Sequence, residues 1–122
     1  MVIRIDEEKV KRIADYYGWN SQLKQLAEEC CELSVEALHY IRERGGTERI
    51  SEEIVDVLIM IQQVIYLLRN DSEKLEKYAE FKLDRQLSRI RKELVVESYI
   101  QESTEMMNHI KFLRRHTDDR KN

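Results

Sequence analysis

The sequence predicts an all-α fold, and three observations predict it. First, the 122 residues include no proline and only three glycines, Gly18, Gly45 and Gly46. A β-sandwich or an α/β fold needs a Gly- or Pro-bearing turn roughly every ten residues, and three glycines cannot serve that many. Second, apolar residues (42%) and charged residues (37%) are both abundant, as in a folded helical chain and unlike a disordered one. Third, apolar residues recur at the helical period along most of the chain. A chain of this length has room for a single domain, residues 1–122, and no second core.

Asp6 is a good N-cap for a first helix that ends near Tyr17 at Gly18, with Val10, Ile13, Ala14 and Tyr17 on one face. The second helix starts at Asn20 or Ser21 and ends at Gly45-Gly46, a pair suited to a left-handed cap. Its core stripe runs through Leu23, Leu26, Ala27, Cys30, Leu33, Ala37, Leu38 and Ile41. The third runs from Thr47 or Ser51 to about Arg69, and twelve of the fifteen residues from Ile54 to Leu68 are apolar, on all sides. A helix that is apolar all round is buried all round. So short a chain can barely enclose one, so part of this surface is expected to meet another subunit.

The fourth helix begins at an Asn70-Asp71-Ser72 cap and shows Leu75, Tyr78, Ala79, Leu83, Leu87, Ile90 and Leu94 at helical spacing. A similar rhythm continues through Val96, Tyr99, Ile100, Met106, Met107, Ile110 and Leu113. The sequence does not decide between one long helix and a break at Val95-Val96 that starts a fifth.

Lys plus Arg number 21 against 24 Asp plus Glu, a formal net charge of −3. That balance lacks the basic excess with which proteins neutralise a long nucleic acid backbone. Cys30 and Cys31 are adjacent, and helical neighbours point about 100° apart, so they cannot form an ordinary disulfide. Neither belongs to a CxxC pair, which argues against zinc. No signal-peptide pattern opens the chain, and the window from Ile54 to Leu68 is too short and too polar to span a bilayer. A cytoplasmic protein with no membrane contact is expected.

The placement of the acids is the informative feature. Glu53 and Asp56 lie three apart, at the edge of and inside the apolar third helix. An ionised Asp on a buried helix is costly unless paired or bound to metal. On the second helix Glu29, Glu32 and Glu36 form one stripe, with Glu28 beside it and Gln22 and Gln25 extending it. Alone, that stripe reads as a solvated face. Facing a second helix with carboxylates at i and i+3, it can close on a hard divalent cation such as magnesium, which takes oxygen ligands and shares them with phosphates. A di-iron bundle needs Glu-x-x-His on each of two helices. The chain offers it once, at Glu36-Ala37-Leu38-His39, and the third helix has no histidine.

Glu28-Glu29-Cys30-Cys31-Glu32 followed by Glu53-Ile54-Val55-Asp56 resembles the EExxE…ExxD signature of the all-α nucleoside triphosphate pyrophosphohydrolases, the MazG-like superfamily. The resemblance covers about residues 20–91 and takes in the helix text "SQLKQLAEECCEL", "SEEIVDVLIMIQQV" and "FKLDRQLSRI". It implies a four-helix-bundle-like fold of the MazG type, here with an additional C-terminal helix over about residues 95–115, assembled as a homodimer or homotetramer. That extension could serve as a dimerisation helix or bind a partner.

By the same resemblance, Glu29, Glu32, Glu53 and Asp56 are the metal ligands. Glu28 is a candidate for supporting or activating the water. The ion is Mg2+, with Mn2+ as a possible substitute. The implied reaction cleaves a nucleoside triphosphate between the α- and β-phosphates to the monophosphate and pyrophosphate, a housekeeping activity on the nucleotide pool. Lys82, Arg85 and Arg89 share one face of the fourth helix at i, i+3 and i+7. They would offset the triphosphate charge that the metal leaves uncompensated, or simply form a solvated face. Lys82 and Arg85 would join Glu28 and Glu29 as the catalytic set. Trp19, Tyr16 or Tyr17 could stack on a base and Gln22 could bond its edge, and packing or capping accounts for each equally well. A related phosphoribosyl-ATP pyrophosphohydrolase is a variant of the same reading. The alternative from another class is a non-catalytic, oligomeric helical interaction module.

Overall fold

The computed structural model describes residues 3–43, 46–69 and 72–119. Its regular elements are α1 (Glu7–Tyr17), α2 (Trp19–Glu43), α3 (Glu48–Leu68) and α4 (Ser72–Asp119); among the described residues there is no strand. No helix is long and apolar enough to cross a membrane among these residues. The chain divides into two compact units, Met1–Asp71 and Ser72–Asn122, so α1–α3 make up the first and α4 the second.

The first unit follows from its caps. The Asp6 carboxylate accepts from the Lys9 backbone N–H at 3.1 Å, and Glu7 and Glu8 lie in the first turn of α1, where negative charge suits the helix dipole. Gly18 ends α1 with φ +79°, its N–H bonded to the Ala14 carbonyl at 2.9 Å. The Gly18 carbonyl in turn accepts from Gln22 N–H at 3.0 Å, so one residue both ends α1 and opens α2. A left-handed φ at that joint favours glycine.

Helix α3 is the centre of the unit, packed along α2 and against α1. Tyr66 of α3 donates its hydroxyl to Asp15 of α1, 3.0 Å from each carboxylate oxygen. The core consists of Val10 and Ala14 from α1 with Val57, Met60 and Val64 from α3, and it also holds two buried amides, Gln22 and Gln63.

The apolar surface of α3 is not covered on all sides. Ile54, Val55, Ile61 and Leu68 are exposed, because within the first unit three helices enclose a single seam and leave the far side of α3 uncovered by α1 and α2. The expected core stripe of α2 is likewise open. Leu26, Leu33 and Ala37 are half-buried, while Leu23, Leu38 and Ile41 are exposed. α3 ends at Arg69 in the left-handed region, φ +50°. The Gly45 part of the expected α2 cap, and Asn70 and Asp71 of the expected α4 cap, lie outside the described residues.

α4 settles the choice left open above. It is one helix of 48 residues, with no break at Val95-Val96. Two β-branched residues lower helix propensity by only a few tenths of a kcal/mol each and remove no hydrogen bond. The additional C-terminal helix expected over residues 95–115 is therefore the continuation of α4 and not a separate element. Of the α4 side chains described, only Leu75 is half-buried and all the others are exposed.

Candidate metal centre

The acids of α2 and α3 meet where those helices face each other. One carboxylate oxygen from each of Glu29, Glu53 and Asp56 lies within 4.8 Å of the other two. The spacing explains the meeting: Glu53 and Asp56 are three apart and so share a side of α3, and Glu29 lies on the side of α2 that faces it.

Glu53 is the unusual member. Its Oε2 is buried and makes no hydrogen bond. Its pKa is raised, first by desolvation and then by the negative charges of Glu32, Asp56, Glu29 and Glu36. A carboxylate oxygen withdrawn from water and surrounded by its own sign is an unfavourable arrangement unless positive charge joins it. All three donors are hard oxygens, a set that suits Mg2+ or Mn2+ and does not suit a thiophilic ion. On donor chemistry and on the unpartnered oxygen, the residues fit a divalent cation.

The other predicted site residues divide into those near this cluster and those elsewhere. Glu32 is outside the trio and exposed, yet it is the largest single negative charge acting on Glu53. Glu28 is exposed and is neither in the trio nor among the charges that act on Glu53. Asp56 was expected inside a buried helix and is in fact exposed. The buried oxygen belongs to Glu53, which is half-buried between exposed neighbours on α3. Gln25 donates its Nε2 to Glu29 Oε1 at 2.6 Å, which orients that carboxylate.

Gln22 is buried and lines a cavity of about 310 Å³ beside the acids, with Ile13, Tyr17, Glu29, Asp56 and Gln63 also in its wall. Gln63 is the residue that sequence reasoning missed. Both Gln22 Oε1 and Gln63 Oε1 are buried without a hydrogen-bond partner, and a neutral amide in that state seeks a donor. The signal was available, since Gln63 is two helical turns past Asp56 on the same side of an otherwise apolar helix.

Trp19 opens α2, is exposed, and does not line this cavity. Tyr16 meets Tyr17 edge-on at 4.9 Å and is 82% exposed. Lys82, Arg85 and Arg89 are exposed on α4, in the second unit. Arg85 lies 5.9 Å over the Phe81 ring, a contact that holds the guanidinium along the helix. Cys30 and Cys31 are free and exposed. Compared with known proteins, the chain matches no family model, no curated protein and no solved structure.

Proposed function

We propose that this protein is a magnesium-dependent nucleoside triphosphate pyrophosphohydrolase that releases a nucleoside monophosphate and pyrophosphate, and that it works in the cytoplasm as a homodimer or homotetramer. The observation that carries the reading is the Glu29–Glu53–Asp56 cluster with its buried, unpartnered Glu53 oxygen. The EExxE…ExxD pattern, with the cavity beside the acids, supports the same reading.

In this account Glu29, Glu53 and Asp56 hold the ion, and Glu32 adds negative charge beside them. Bound Mg2+, or Mn2+ in its place, polarises phosphate oxygens and lowers the pKa of water. Glu28 supports the attacking water. The reaction asks for positive charge and positioning rather than a nucleophilic side chain, and Lys82, Arg85 and Arg89 are the basic residues that the resemblance offers for it. Gln22, joined by Gln63, accepts hydrogen bonds from a base in the adjoining cavity. The open apolar surfaces of α2 and α3 supply the subunit contacts.

The test is pyrophosphate release from a panel of ribo- and deoxynucleoside triphosphates, with and without Mg2+, for the wild type and Asp56→Ala. The reading requires Mg2+-dependent release that Asp56→Ala reduces at least about a hundredfold, the loss expected when one transition-state charge contact is removed. The exposed apolar residues along α4 favour a second reading, the non-catalytic interaction module. No release from any nucleotide, with Asp56→Ala folded and equally stable, selects that module.

A further inference from the structure

The main apolar stripe of α4 changes sides along its length, with Tyr78 and Phe81 already on the second side. At about 100° per residue, Leu83, Leu87, Ile90 and Leu94 fall within about 60° of one another. Past Leu94 that side carries Glu97 and Gln101. The apolar face is taken up instead by Val96, Tyr99, Met106, Ile110 and Leu113, on roughly the opposite side of the helix. All five are exposed. Ile100 and Met107 flank this second face and Phe112 lies off it, its ring against His116 with centroids 4.0 Å apart. A helix whose two halves present opposite apolar faces offers each half a different surface for contact.

Charge on the second half is segregated along the axis. From residue 93 to 105 the ionised groups are Glu93, Glu97, Glu102 and Glu105, with no Lys or Arg among them; from 106 to 117 they are Lys111, Arg114 and Arg115, with no Asp or Glu. A parallel in-register pair would set acid against acid and base against base. An antiparallel pair of the same segment sets each acidic end against a basic one.

Apolar spacing agrees with that orientation. Val96, Tyr99, Met106, Ile110 and Leu113 fit alternate three- and four-residue steps, with Ser103 at the one small polar position. Antiparallel pairing about the segment's middle stacks Val96 on Leu113, Tyr99 on Ile110 and Ser103 on Met106, each twice by symmetry. The same register brings Glu93 alongside Arg114 and Glu102 alongside His109. The paired length, about 35 Å at 1.5 Å per residue, is some three heptads, enough for a weak pair that a second contact elsewhere reinforces.

We infer that residues 93–117 of α4 form an antiparallel pair with the same segment of a second copy of this chain. The inference does not depend on the proposed activity. Its test is disulfide cross-linking of the full chain in a Cys30→Ser, Cys31→Ser background, one copy carrying Val96→Cys and the other Leu113→Cys. Both sites are exposed, so folding is retained, and circular dichroism checks it.

The mixture is expected to form a cross-link that neither variant forms alone. Lys111→Glu, Arg114→Glu and Arg115→Glu added to the Leu113→Cys copy should abolish the cross-link. Glu93→Lys, Glu97→Lys and Glu102→Lys added to the other copy should restore it. Self-linking of either variant would show parallel pairing and overturn the inference. So would the absence of any cross-link, which would mean that another surface covers this face, or a cross-link indifferent to the charge reversals.

Discussion

At the scale of single residues, Glu53 concentrates the strain of the first unit. Its Oε2 is buried and unpartnered, and its pKa is raised from the ordinary 4.5 by desolvation and by the acids around it. The folded chain therefore holds this proton more tightly than the unfolded chain does. Between the ordinary and the raised value, the native state binds more protons, so its stability falls as pH rises through that window and stays lower above it. Glu53→Gln removes that loss. The cation-free variant should melt higher than the wild type at pH 7 and at the same temperature at a pH below 4.5, read by thermal melts across pH. Mg2+ should raise the wild-type melting temperature, and at the same concentration raise that of the variant less. The EExxE…ExxD spacing made Glu29, Glu53 and Asp56 legible in the sequence. Which of them holds the buried oxygen was not, because burial depends on where the neighbouring helix ends its cover, and periodicity alone favoured Asp56. Gln63 was hidden for a related reason: a Gln inside an apolar run reads as a gap in the pattern until its amide is seen buried beside Gln22.

At the scale of elements, α1 and α2 are separated by one residue, and the geometry of the unit passes through it. Gly18, at φ +79°, accepts from Gln22 N–H while donating to Ala14, and this orients the first turn of α2, from which Gln22 enters the core. An added Cβ would meet no atom within 4 Å, so Gly18→Ala tests backbone conformation without a clash. It should destabilise the chain by about 1–3 kcal/mol, because φ +79° with ψ 175° is a conformation essentially confined to glycine, measured by urea denaturation. Helix identity was readable almost throughout, because Asp6, Gly18 and the apolar periodicity act locally. Continuity at Val95-Val96 was not readable, since β-branched residues weaken a helix without breaking it. The reversal of the apolar face at Leu94 needs the angle of each side chain around one unbroken axis, which the alternative of a fourth and a fifth helix would not share.

At the scale of the whole molecule, exposed apolar surface is the common theme. In the first unit α2 leaves Leu23, Leu38 and Ile41 open and α3 leaves Ile54, Val55, Ile61 and Leu68 open; in the second, α4 carries apolar residues on both sides. The proposed assembly would cover surface of that kind, and a helix apolar all round led to the same expectation from the sequence. Assembly, however, serves the proposed chemistry only if a cation occupies the acids between α2 and α3. The most direct measurement is Mn2+ binding to the full chain at pH 7, followed by electron paramagnetic resonance, for wild type and Glu53→Gln. The account predicts saturable binding that Mg2+ displaces and that is weakened at least about tenfold in Glu53→Gln, with helix content unchanged. Equal binding by the two proteins, or none by the wild type, would contradict it.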